Sequence, residues 1–236
     1  MKHRFCVRAC LVLVCFLMCS SPAVAHDLWL NVDNHYPNAG EKSAVKVVFG
    51  HNYPYYGILL ERDKLADFSY LCPDGKVKEV ENIWEDKKDE RAGALAGKIT
   101  FDQKGTYIVT ACKKVKGDKE QVASEKYGKA IVVVGKGSKT VSKPFGHRME
   151  IVPLKNPSEV KAGGVLPVRI LFEGKPLSTY VYATYAGYYS EDDPFPVAAK
   201  SNEKGVANIK ISKPGVWMIV SSYKVDFSAS LTCEIK

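Results

Sequence analysis

Four histidines follow residue 25 of this 236-residue chain: His26, His35, His51 and His147. Imidazole is among the commonest metal ligands and titrates near neutrality. His26 stands apart because of where it falls. The stretch "SSPAVAHDLWL", Ser20 to Leu30, contains "AVA" at 23–25, a small-x-small signal of the kind that a signal peptidase cuts. A cut after Ala25 makes His26 the first residue. Its α-amine then titrates at about 7.7–8.0 and its imidazole at about 6.5, so both can serve as neutral donors near pH 7. The amine nitrogen and Nδ1 close a six-membered chelate ring on one ion, and an imidazole from elsewhere completes three nitrogens. Such a set suits Ni(II), Co(II), Cu(II) or Zn(II), whereas Ca and Mg want oxygen. Leu28 stands at the third place after the cut, so the square-planar site that needs a third-position histidine is excluded.

His51 ends "VKVVFG" and opens "HNYPYYG", a loop at the end of an expected strand, where sites are usually built. It is the candidate for the second imidazole. His147 and His35 are candidates for a third. His147 follows a linker-like stretch, and His35 lies in the polar turn "DNHYPNAG". Each of these histidines can instead be a packing residue hydrogen-bonded to backbone. The run "YYSEDDPFP" (188–196) offers Glu191, Asp192 and Asp193, either as an oxygen ligand or imidazole support, or as an exposed loop. No HExxH, CxxC, GxSxG or glycine-rich phosphate loop is present, so the expectation is a binding protein rather than an enzyme.

The elements that must position these groups read as β throughout. "SAVKVVFG", "GKITFD", "TYIVTAC", "KAIVVVG", "LPVRILF", "TYVYATY", "GVANIKI" and "VWMIVSSY" are short and β-branched or aromatic. "PDGK", "QKG", "EGKP", "NEKG" and "KPG" punctuate them as turns. The segment 82–97, "NIWEDKKDERAGALAG", is the best helical candidate, with a loop as the alternative.

The chain also repeats. "AGEKSAVKVVFG" from Ala39 matches "AGGVLPVRILFEG" from Ala162, with Val45 on Val168 and Phe49 on Phe172. "KGTYIVTA" from Lys104 matches "PGVWMIVSS" from Pro214. The expected architecture is all-β, two tandem immunoglobulin-like β-sandwich domains after a cleaved signal peptide. The expected bounds are 1–25 for the signal, 26–138 and 147–236 for the sandwiches, and 139–146 for a Gly/Ser/Lys/Pro-rich linker. His26 and His147 both open the first strand of their copy.

The first 25 residues carry Lys2, Arg4 and Arg8 before the apolar run "ACLVLVCFLMC", which is too short to span a bilayer comfortably. The periplasm is the expected compartment. No later segment is long and apolar enough to span, so membrane contact is expected only through a partner. The formal charge is +8. Without the first 25 residues, 31 basic against 26 acidic residues leave +5. Lysines are interspersed with acids and form no basic patch, which argues against nucleic acid. Four of seven cysteines fall in the signal. Of the remaining Cys72, Cys112 and Cys233, an oxidising compartment favours one disulfide, and Cys72–Cys112 lie in the same half.

"AHDLWL", "FGHNYP", "EIVPLKNP", "VKAGG", "ILFEGKPL" and "NEKGVANIKISKPGVWMIV" together resemble the DUF4198 family, the periplasmic components of energy-coupling-type cobalt and nickel uptake systems. The resemblance is strongest from Glu150 to Val220 and thin between Glu61 and Lys98. It implies a protein that captures Ni(II) or Co(II) and hands the ion to an inner-membrane transporter, with His26 and His51 as ligands. Two alternatives stand beside it. One is a periplasmic copper-binding chaperone, using the same donors. The other is a metal-free interaction or carbohydrate-binding module that works through its aromatic loops.

Overall fold

A computed structural model describes residues 26–117, 122–224 and 226–236 of the chain. The expected signal, 1–25, and the cut after Ala25 lie outside the described residues at their amino-terminal side. The regular elements of the described chain are strands, with only short 3-10 turns beside them. The first half runs β1 (Asp27–Val32), β2 (Glu41–Gly50), β3 (Gly57–Ile58), β4 (Leu65–Leu71), β5 (Val77–Glu79), β6 (Trp84–Lys87), β7 (Ala92–Phe101), β8 (Gly105–Lys116) and β9 (Val122–Val134). The second runs β10 (Met149–Pro153), β11 (Val165–Phe172), β12 (Lys175–Pro176), β13 (Tyr180–Tyr185), β14 (Val197–Lys200), β15 (Val206–Lys210), β16 (Gly215–Tyr223) and β17 (Phe227–Ile235).

Three sheets make two β-sandwiches. β1, β2, β3, β7 and β6 form one outer sheet, and β10, β11, β12 and β15 another. Between them runs one eight-stranded sheet, in the order β14-β13-β16-β17-β9-β8-β4-β5. Its halves meet where β17 pairs parallel with β9, Phe227 on Glu125 through Thr232 on Ala130. Among the described residues every other pairing is antiparallel within one copy, so this seam joins the two copies edge to edge.

The ladder matches the sequence repeat residue by residue. Leu28 opposes Phe49 and Val32 opposes Val45. In the second copy Met149 opposes Phe172 and Pro153 opposes Val168. The β8 and β16 equivalents both start on a glycine with positive φ, Gly105 and Gly215.

The two cores explain the unbroken apolar runs of β8 and β9. Tyr107, Val109, Ala111, Ala130, Val132 and Val134 face β1, β2 and β7 in the first core. The alternate residues Ile108, Cys112, Ile131 and Val133 enter the second core with β10, β11, β16 and β17. Side chains alternate across a strand, so a sheet buried on both faces needs apolar residues at both parities. The stretch between the copies is packed as well. Lys139–Ser142 makes a 3-10 turn with Thr140 and Val141 buried. The Ser138 hydroxyl accepts from the Thr106 N–H at 3.1 Å.

Two expectations are corrected. The helical candidate 82–97 is β6 and the start of β7. Gly93 and Gly97 weaken a helix, and β2, β3 and β6 flank β7 to supply its hydrogen bonds. Cys72 and Cys112 are not joined; all three described cysteines are free and buried. Cys112 opposes Asp67 on β4, five residues before Cys72. At about 3.3 Å per residue that is on the order of 15 Å, against a disulfide Cα span of about 4.4–6.8 Å. The two thiols also face different cores.

Candidate metal centre

The β1–β2 register builds the site. Asp27 opposes Gly50, and one further step sets His26 across from His51. The two imidazole rings lie 3.8 Å apart between centroids, inclined by 35°. Residues two apart share a face, so Phe49 sits beside His51 and under His26, stacked at 4.9 Å and 26°. His51 is exposed and His26 half-buried.

The loop that carries His51 is held from both ends. Tyr53 is buried and meets Trp29 edge-on at 5.9 Å, while the Asn31 side-chain amide donates to the Pro54 carbonyl at 2.7 Å. Gly57 closes the loop where the backbone passes over Phe49: a Cβ there would stand 2.1 Å from the Phe49 carbonyl oxygen. Only glycine permits that approach.

The electrostatics keep the His26 imidazole neutral. Partial burial lowers its pKa, and His51, Lys126 and Lys113 lower it further. Lys113 Nζ lies 4.7 Å from the Phe49 ring centroid. Asp27 is the acidic neighbour. Burial pushes its carboxyl up to about 6 against the pull of Lys126. Two imidazoles side by side are a nitrogen donor set for a borderline transition metal. Two imidazoles bound cis to one ion have centroids roughly 4.5 Å apart, given metal–nitrogen distances of about 2.0–2.1 Å. The centroid separation of this pair is within about 1 Å of that value.

The other two candidate histidines are placed elsewhere. The His35 Nδ1 donates to the Ile131 carbonyl at 2.7 Å, an acceptor only, so Nδ1 carries the proton. Its Nε2 is buried without a partner, and burial pulls its pKa down to about 4. His147 stacks on Tyr127 at 4.8 Å and meets Phe145 at 4.9 Å. Its Nε2 lies 4.0 Å from Asp67 Oδ2, and burial, with Lys129 next, pulls its pKa to about 4. Glu191, Asp192 and Asp193 are exposed in a turn tied by Asp193 N to Ser190 Oγ at 3.1 Å. Among the described residues no three His, Cys, Asp or Glu side chains converge as a metal site. The side chains therefore bring together two of the four candidates.

One buried charged pair carries no motif in the sequence. Lys129 and Glu150, both buried, bond to each other. Lys129 also donates to the Ile151 carbonyl at 3.1 Å. Burial pushes Glu150 up, but Lys129 and the N–H groups of Phe145 and Gly146 outweigh it, and its carboxyl ends below the ordinary range. The signal was partial: Glu150 is the one charge in the strand "MEIVP", and Lys129 is the last charge before the apolar run "AIVVV" of β9.

Together these features define a double β-sandwich protein with a cross-strand histidine pair at its first strand. The chain belongs to the DUF4198 family, described as a domain of unknown function, whose model matches residues 23–225. Solved structures similar to it include the D0-D1 domain of Intimin, at 13% identity over 87% of this chain and 96% of that one, TM-score 0.26. The fibronectin(III)-like modules of Clostridium thermocellum CbhA match at 11% identity over 88% and 94%, TM-score 0.25. Likeness at this level carries no argument about function. No curated protein matches the sequence.

Proposed function

We propose that this is a non-catalytic, transition-metal-binding protein of the periplasm that captures Ni(II) or Co(II) and passes the ion to an inner-membrane uptake transporter. The observation that carries the reading is the contact of the His26 and His51 rings at 3.8 Å. The family resemblance supplies the transport role and the choice of metals. Cleavage after Ala25 would free the His26 amine, giving one amine and two imidazoles without a third side chain. Partial burial, then His51, Lys126 and Lys113, disfavour protonation of His26, and a neutral imidazole is the form that binds metal.

The test compares a chain that begins at His26 with a twin carrying one extra residue ahead of it. Ni(II), Co(II), Cu(II) and Zn(II) binding is read by calorimetry and native mass spectrometry. The expected result is one ion per chain, with affinity reduced at least ten-fold in the twin and in His51→Ala. Equal binding by the twin removes the amine from the site. Equal binding by His51→Ala removes His51. If the first chain binds none of the four ions, the metal reading falls and the interaction-module alternative takes its place. Cu(II) tops the affinity order at most nitrogen sites, so the transporter's preference must be read in a transfer assay.

A further inference from the structure

The second copy has its own counterpart of the histidine pair, and it is open. Met149 opposes Phe172 as Leu28 opposes Phe49. Two residues before Met149 is His147, the equivalent of His26. Two residues after Phe172 is Gly174, the equivalent of His51. Gly174 adopts φ +73°, and nothing lies within 4 Å of the place a Cβ would take. Where the first copy holds a second ring, the second copy has a cavity of about 610 Å³, lined by both His147 and Gly174. Small-molecule sites typically measure about 300–1,000 Å³.

The walls come from both copies. Tyr127 stacks on His147, and Phe145 meets the same ring at an inclined angle. Four carboxylates also line the cavity, and three are already matched. Glu150 is bonded to Lys129 and to two backbone N–H groups. Glu125 is bonded by Tyr127 and lies 3.4 Å from Lys114 Nζ. Glu173 pairs with Arg148 at 3.1 Å. Asp67 differs. Its Oδ2 accepts from the Ser69 hydroxyl at 3.1 Å and the Thr110 hydroxyl at 3.3 Å. Among the described residues its one ionisable basic neighbour within 4.0 Å is the His147 imidazole. That gap is too long for a direct hydrogen bond, and burial keeps the ring uncharged near neutral pH.

An unmatched carboxylate beside a stack of aromatic rings is a receptor for a cation with an apolar body. We propose that this cavity binds a small organic cation, its ammonium group on Asp67 and its apolar body against Phe145 and the open edge of His147, which the buried Tyr127 backs. The site is independent of the His26–His51 pair and needs no metal.

The probe is benzylammonium, compared with neutral benzyl alcohol and anionic benzoate, on the full purified protein in metal-free buffer. Calorimetry gives the affinities, and NMR follows the His147 ring protons. Benzylammonium should bind at least ten-fold more tightly than either analogue and shift the His147 signals. Asp67→Asn, which keeps the acceptor for the two hydroxyls, should lose ten-fold or more. Failure of benzylammonium to bind the unaltered protein overturns the proposal. So does equal or preferential binding of benzoate or benzyl alcohol, or binding that leaves His147 unmoved. The three-ligand comparison needs no variant, so it decides the matter even if Asp67→Asn fails to fold.

Discussion

At the scale of single residues, burial sets the chemistry of the histidines more than their types do. His35 and His147 both have pKa values pulled down to about 4, while an unfolded histidine titrates near 6.5. As pH falls below about 6.5 the unfolded chain takes up protons that the folded chain refuses. The stability these residues contribute is therefore complete above about pH 6.5 and is lost as pH falls towards 4. Denaturant midpoints measured across that window should drop steeply, by on the order of 3 kcal/mol for the fully buried His35. His35→Phe should flatten the slope.

The Lys129–Glu150 pair makes a second prediction of the same kind. Lys129→Met leaves a buried carboxylate without its cation, a change that costs about 3–5 kcal/mol. The loss should shrink as pH is lowered and Glu150 becomes protonated. A loss unchanged with pH would show that packing, not charge, is what Lys129 supplies. In the sequence these two residues read as ordinary strand charges, because nothing local says that they face each other.

At the scale of elements, register does the positioning. His26 and His51 are 25 residues apart in sequence and meet because β1 and β2 are antiparallel with Asp27 on Gly50. Gly57 holds the returning strand against Phe49. Gly57→Ala would drive a Cβ into the Phe49 carbonyl, and overpacking of this sort costs about 1–3 kcal/mol. It should lower the melting temperature and, by displacing the 51–56 loop, weaken Ni(II) binding at least ten-fold by calorimetry. The repeat made this pairing legible in part. Aligning Phe49 with Phe172 pairs His51 with Gly174, but the meaning of that difference, a ring in one copy and a cavity in the other, needed the strand ladder. The segment 82–97 reads in sequence as a helix or a loop because the residues of "AGALAG" (92–97) show no polar–apolar alternation to mark a strand. Their strand state comes from partners on both sides.

At the scale of the whole molecule, the copies do not stand apart. Leu71, Ile108, Ile131 and Val133 belong to the first copy and are buried in the second core. The Ser230 and Thr232 hydroxyls of β17 donate to the Leu28 and Leu30 carbonyls of β1 at 2.6 and 2.8 Å. Residues 26–138 alone would expose that apolar face. This fragment should bind a hydrophobic dye and aggregate, while the whole protein melts in one calorimetric transition. Two separate transitions, or a soluble and well-folded fragment, would contradict this picture.

The sequence by itself determined the all-β class, the two-copy repeat, the strand that His26 opens and the loop that His51 opens. These follow from local periodicity, turn residues and self-similarity, which a linear string carries. Only the tertiary structure decided which histidines meet, that the three cysteines stay apart, and that one sheet runs through both copies. Those outcomes depend on which strand edges pair and which faces are covered. Pairing and covering are contacts between residues far apart in the chain, chosen by packing, and no local pattern encodes them.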